Sequence, residues 1–235
     1  MELFFERTVT SLINLFFPNG CAGCNEVLSR GEHILCIHCL NNLSPTNFHL
    51  LKDNPVERIF IGRIPFEAAT ACYFFRKGSA IQKIIHQFKY HNRKDIALYM
   101  GKQMGHMLQQ SAVYSTADQV IPVPLFFKKE KKRGYNQANL LGEGIAEILH
   151  IPVVNDSVER VSQTGSQTRK SRLDRWENVK DAFRVVRPDM LRGKHLLLID
   201  DVITTGATLE AFAQTLTEIP GVRISIASLA LARYS

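Results

Sequence analysis

Phe5, Val9, Leu12, Ile13 and Phe16 recur at three- and four-residue spacing, which predicts an amphipathic helix over residues 2–17 that stops before Pro18. Its polar face carries little basic charge, so the apolar stripe is expected to pack on protein and not on a membrane surface. Residues 43–65 hold Pro45, Pro55 and Pro65 with little periodicity. A linker is expected there, separating an N-terminal module (1–42) from a larger domain (66–235). From Phe66 the pattern changes. Ala68–Phe75 reads as a strand, 79–90 and 94–110 as helices, Gln119–Pro124 as a short buried strand, and 136–149 as a helix. Leu196–Asp200 is a continuous apolar run ending in acid, as in a central parallel strand; a helix over 206–218 and a strand over Arg223–Leu231 follow. Strands alternating with helices predict an α/β fold on a parallel sheet with right-handed crossovers.

The chain has 235 residues, of which 45% are hydrophobic and 22% charged, and this excludes wholesale disorder. No run approaches the roughly 18 apolar residues of a membrane span. The start, Met1-Glu2-Leu3-Phe4-Phe5-Glu6-Arg7, is acidic where an export signal would be basic, so a cytoplasmic location is expected. The net charge of +7 points to anionic partners. That excess is local: residues 160–194 carry ten basic against four acidic side chains, and Lys128, Lys129, Lys131, Lys132 and Arg133 form a second cluster. A charge run is ordinarily a solvated face, so its place among the other motifs decides its meaning.

Four of the five cysteines form two pairs, Cys21-x2-Cys24 and Cys36-x2-Cys39, eleven residues apart. Each pair can present two thiolates to one ion, and two pairs complete a tetrahedral zinc site. Four protein ligands leave no open position, so the site is expected to be structural. Cys72, in a strand pattern, reads as a small buried apolar residue.

The densest chemistry lies in Leu196-Leu197-Leu198-Ile199-Asp200-Asp201-Val202-Ile203-Thr204-Thr205-Gly206-Ala207-Thr208-Leu209. A buried strand ends in two carboxylates, and a turn of small hydroxyl residues and glycine opens a helix. Unpaired N–H groups and the positive end of the dipole at a helix start favour a phosphate. Gly206 is expected to let the backbone approach that anion, with hydroxyls of Thr204, Thr205 and Thr208 as added donors. Paired acids at a strand's carboxyl end suit a vicinal diol or a magnesium ion. The bland alternative is a strand ending in an N-capping Asp with no ligand.

This string resembles the phosphoribosyl pyrophosphate (PRPP) signature of type I phosphoribosyltransferases. The resemblance implies that Asp200 and Asp201 bind the ribose hydroxyls with magnesium, and that Thr204, Thr205, Gly206, Ala207 and Thr208 bind the 5′-phosphate. Thr204 stands where several purine-using relatives carry an Asp that assists the incoming base, which argues against nucleobase salvage. The basic stretch after Ile121-Pro122-Val123-Pro124 reads as a loop facing the pyrophosphate, with Lys132 and Arg133 as candidates. Gln167 through Val179 reads as a hood closing over the donor, with Arg172 and Arg175 as candidates.

The order Pro-Val-Pro, Arg-Gly-Tyr-Asn-Gln, Gln-Thr with Arg-x-x-Arg-x-x-Asn-Val, and Ile-Asp-Asp-Val-x-Thr-Thr-Gly-Ala-Thr resembles the ComF family. The four-cysteine module and Phe88-Lys89-Tyr90 extend the resemblance over nearly the whole chain. It implies a zinc ribbon on a phosphoribosyltransferase-like domain, association with natural competence, and single-stranded DNA and a competence helicase as partners. Two functions follow as expectations. One is transfer of a phosphoribosyl group from Mg-PRPP to an acceptor that the sequence does not name. The other is a non-catalytic, PRPP-responsive protein that holds single-stranded DNA on its basic clusters, with Tyr135 and Trp176 as stacking residues. No residue reads as an activated nucleophile, so transfer would rest on positioning and electrostatics.

Overall fold

The structure is a computed structural model that describes residues 20–161 and 182–232. The helix expected over 2–17 and the hood expected over 167–179 lie outside the described residues. The order of elements is α1 (Ile37–Asn41), α2 (Glu57–Phe60), β1 (Ala68–Phe75), α3 (Ala80–Tyr90), α4 (Lys94–Leu108), α5 (Ala112–Ser115), β2 (Gln119–Pro122), α6 (Phe127–Arg133), α7 (Gln137–Leu149), β3 (Val158–Arg160), β4 (Phe183–Val185), β5 (His195–Ile203), α8 (Ala207–Thr217) and β6 (Arg223–Ala232). Four strands form one parallel sheet in the order β1-β6-β5-β2, and β3 pairs antiparallel with β4.

The apolar run at the start of β5 serves both faces of the sheet. Leu197 and Ile199 join a core with Ile84, Phe88, Met100, Met104, Leu141 and Ile145 of α3, α4 and α7. Leu196 and Leu198 join the opposite core with Leu209, Phe212 and Leu216 of α8. Successive strand residues point to opposite faces, so a strand covered on both sides is apolar throughout and not alternating.

Residues 43–65 do not behave as a linker in the described structure. Val56 and Phe60 are fully buried and belong to the α8-side core. Asn54 donates through Nδ2 to the carbonyls of Phe48, Leu51 and Ala69, and Pro45 bridges to Tyr73. The prolines end regular elements without releasing the chain from the body, because side-chain and backbone hydrogen bonds to β1 replace helical periodicity. The cysteine module is likewise attached: Cys21, Ala22, Leu35, Cys39 and Leu43 share one core with Ile81 and Ile84 of α3.

The basic stretch expected as a loop is helix α6. Gly134 closes it at φ 80°, its N–H returning to the Glu130 carbonyl, the usual left-handed helix stop. Lys131, Lys132 and Arg133 occupy the last turn, where cations suit the helix dipole. The short β3–β4 ribbon flanks the undescribed segment 162–181.

Candidate functional site

β5 ends where the sheet's carboxyl edge opens, and the two acids sit in its last turn of extended chain. Asp200 and Asp201 are each partly buried, and the Asp201 N–H donates to Asp200 Oδ1 at 2.8 Å. Lys89 Nζ pairs with Asp201 Oδ2 at 2.7 Å; the two side chains are only 19% and 15% exposed. Burial, and then the charge of Asp201, push the Asp200 carboxyl up to about 7, against the opposing pull of Lys89 and Arg160. Burial also lowers Arg160, while the Asp200 charge supports its cationic form. Desolvation and the like charges of Arg160, Arg133 and Lys89 lower Lys129. Lys89 (α3) and Arg160 (β3) therefore act on the acid pair, and both, with Arg133, act on Lys129 of α6. Anionic chemistry is what such a set of cations favours.

Beyond the acids the chain turns into α8. Thr204, Thr205 and Ala207 are exposed and Thr208 is partly so. Gly206 is the N-cap and carries no capping side chain; the nearest substitute is a 3.4 Å bond from Ala207 N–H to Thr205 Oγ1. The first turn thus keeps backbone donors without a strong cap, a few residues after the two carboxylates in the chain. Gly206 differs from expectation in one respect. It has φ 78°, and a Cβ there would lie 2.5 Å from Ile59 Cγ2 and 3.1 Å from Phe60 Cε1. Its missing side chain makes room for the body of the protein, namely α2 beneath the turn, and not for a ligand.

The basic candidates divide. Arg133 donates to Gln137 Oε1 at 2.8 Å and lies 5.6 Å from the centre of the Tyr90 ring. Lys132 is exposed on α6. Arg172 and Arg175 fall outside the described residues. Tyr135 is 9% exposed, with its hydroxyl donating to the Phe88 carbonyl and Lys94 Nζ 5.2 Å from its ring, so it is not available for stacking. Lys89 and Arg160 stand by the acid pair although composition and spacing did not single them out, whereas Lys129 belongs to the basic cluster read from the sequence. The Phe88-Lys89-Tyr90 stretch was the one signal for the first of them.

The sulfurs of Cys21, Cys24, Cys36 and Cys39 all lie within 4.8 Å of one another, with Cys24 and Cys36 at 3.7 Å. Zinc–sulfur bonds of about 2.3 Å at tetrahedral angles place sulfurs about 3.8 Å apart, so this donor set fits such an ion. The backbone N–H groups of Gly23 and Cys36 donate to Cys21 Sγ at 3.4 and 3.2 Å, and that of Cys39 to Cys36 Sγ at 3.4 Å. Burial raises Cys21, but the backbone N–H groups of Cys36, Cys24 and Gly23 outweigh it and bring the thiol down to about 6, favouring thiolate. Burial and the neighbouring thiols raise Cys39. Glu32 braces the module, accepting from Ser29 N–H at 2.7 Å and Ile37 N–H at 2.6 Å. Among the described residues no helix is long and apolar enough to cross a membrane.

A parallel sheet with an acid pair and a helix start at its carboxyl edge is the layout of a ligand-binding α/β domain, and the family described as phosphoribosyl transferase domain matches residues 136–234, which makes this a phosphoribosyltransferase-type domain. Over 247 aligned positions the chain is 32% identical to Competence protein F of Haemophilus influenzae, covering 99% of this chain and 100% of that one. It is 28% identical over 200 residues to DNA utilization protein YhgH of Escherichia coli, covering 83% of each. Among solved structures, purine phosphoribosyltransferase from Pyrococcus horikoshii aligns with 19% identity and a TM-score of 0.38, over 57% of this chain and 74% of that one. The chain belongs to the ComF family, with a four-cysteine metal-type module joined to a phosphoribosyltransferase-type domain.

Proposed function

We propose that this protein binds Mg-PRPP at the carboxyl edge of β5 and serves natural competence and the use of incoming single-stranded DNA. The observation that carries the reading is the acid pair Asp200–Asp201 beside an uncapped helix start, with Lys89 and Arg160 acting on the acids and both acting on Lys129 of the basic helix. Asp200 and Asp201 accept from the ribose hydroxyls, and the first turn of α8 with Thr204, Thr205 and Thr208 receives the 5′-phosphate. The surrounding cations, with Lys132 and the undescribed Arg172 and Arg175 as further candidates, meet the diphosphate. Magnesium carried in with the donor would offset the diphosphate's charge. In transfer, the bond from the anomeric carbon to the diphosphate oxygen breaks, the electron pair leaves with diphosphate, and an acceptor attacks the carbon. The chain's own part is positioning and charge. Zinc on Cys21, Cys24, Cys36 and Cys39 holds the N-terminal module.

Calorimetry of Mg-PRPP against the wild type and Asp201→Ala tests this. The variant is expected to bind more weakly by about 1.5–3 kcal/mol, the range for hydrogen bonds to charged groups. No heat of binding to the wild type at millimolar ligand would refute the reading.

A second reading, a non-catalytic holder of single-stranded DNA, gains support from two exposed rings beside basic residues. Tyr90 is 64% and Phe127 70% exposed, next to Arg133 and within α6 respectively. Single-strand surfaces combine such rings with cations.

A further inference from the structure

Resting on the assignment of this edge as a PRPP site, we infer that Lys89 is a donor-binding residue with two partners: Asp201 before the donor binds, and the donor's diphosphate once sugar and metal claim the carboxylates. Lys89 comes from α3, far in sequence from both the β5 acids and the basic helix, yet its ammonium lies 2.7 Å from Asp201 Oδ2. The oxygen it occupies is one that a ribose hydroxyl or a donor-bound divalent cation needs. An ammonium and a divalent cation cannot share one carboxylate oxygen at such distances without strong repulsion. Arrival of the donor therefore displaces Lys89 from Asp201. Its flexible four-carbon stem lets the charge move without moving the helix.

The helix end that carries Lys89 is held firmly. Phe88 is fully buried in the core, and its carbonyl accepts the Tyr135 hydroxyl. Tyr90, on the other side, lies under the Arg133 guanidinium. Both clamps come from α6 or the residues just after it, so the backbone of Lys89 is registered against the basic helix that faces the diphosphate. The charged groups that act on the acid pair are Lys89 from α3 and Arg160 from β3, and these two, with Arg133, act in turn on Lys129 of α6. The like charges of Arg160, Arg133 and Lys89 lower Lys129, and a polyanionic donor relieves that repulsion. An ordinary surface ion pair does not fit these facts, because both partners are mostly buried and one belongs to a ligand-binding signature.

The test compares Mg-PRPP with ribose 5-phosphate, which has the sugar and the 5′-phosphate but no diphosphate. Wild type, Lys89→Met and Lys89→Arg are titrated with each, after matching thermal unfolding confirms the fold. Lys89→Met is expected to weaken Mg-PRPP roughly ten- to hundredfold, as for loss of one charge-assisted hydrogen bond. It should leave ribose 5-phosphate binding unchanged or tighter, because the competitor for Asp201 is gone. Lys89→Arg should recover part of the Mg-PRPP affinity. Equal losses for both ligands, or no loss for either, would overturn the inference while leaving the site assignment standing. A wild type that binds neither ligand would overturn both. If Lys89→Met fails to fold, Lys89→Gln and Lys89→Arg carry the same comparison.

Discussion

Replacing Asp200 by Asn removes an acid that the fold holds at high cost. Burial and the adjacent Asp201 raise its carboxyl from 3.8 to about 7, so the folded chain keeps a proton that the unfolded chain releases. Ionising the folded state is therefore destabilising. The cost begins as pH rises above about 4 and is complete above about 7. At about 1.4 kcal/mol per pH unit, three units set a ceiling of about 4 kcal/mol, of which about 2 kcal/mol is already present at pH 5. Asn has nearly the same shape and no charge to lose. Urea unfolding of wild type and Asp200→Asn at pH 5 and pH 8 should thus show the variant's advantage widening by about 2–3 kcal/mol across that window. Taking the difference between the two proteins cancels the titration of histidines and cysteine thiols. A difference that stays flat from pH 5 to pH 8 would refute the assignment of a partly buried acid beside Asp201 that keeps its proton to about pH 7. The same proton should leave when Mg-PRPP binds, since the donor needs both carboxylates ionised.

Cys24→Ser should lose one zinc per chain by metal analysis and unfold residues 20–42 first. Apparent zinc free energies in small modules reach roughly 10–16 kcal/mol, and amide exchange would show the loss spreading into α3, whose Ile81 and Ile84 share the module's core. Gly206→Val should lower stability by several kcal/mol by urea unfolding, combining roughly 1–2 kcal/mol for a left-handed non-glycine with the clash of its Cβ on Ile59. Gly206→Ala should keep most of the same penalty, because the offending atom is the Cβ itself. Tyr90→Ala with Phe127→Ala should weaken single-stranded DNA binding by roughly 1–3 kcal/mol per ring, with affinity falling steeply as salt rises; unchanged binding would remove this surface from the account.

The strand–turn–helix unit around Asp200 is legible in the sequence because each part has a local cause: a double-faced apolar run, adjacent acids, and a glycine in the left-handed region opening a helix. The four cysteines are equally plain, since two chelating pairs need only short loops. Residues 43–65 are not legible as part of the body, because their order comes from Asn54 and Thr46 reaching β1 and not from periodicity. Helix α6 hides behind its charges: with Phe127 exposed and no buried residue, it has no apolar stripe to read, though the basic last turn and Gly134 mark its end. β3 and β4 are three residues each, too short for an alternation to register. Lys89 and Arg160 reach the acid pair only through the tertiary fold, the first by an ion pair to Asp201 and the second by its charge on Asp200. No local pattern encodes such contacts.

The central claim is that the turn from Asp200 to Thr208 holds the ribose 5-phosphate part of PRPP. Backbone amide resonances of isotope-labelled protein, followed as ribose 5-phosphate and then Mg-PRPP are added, test it most directly. The amides of Thr205, Gly206, Ala207 and Thr208 should move with both ligands and saturate together, while those of α6 respond to Mg-PRPP alone. Shifts that leave the start of α8 untouched, or that saturate elsewhere on the protein, would contradict the account.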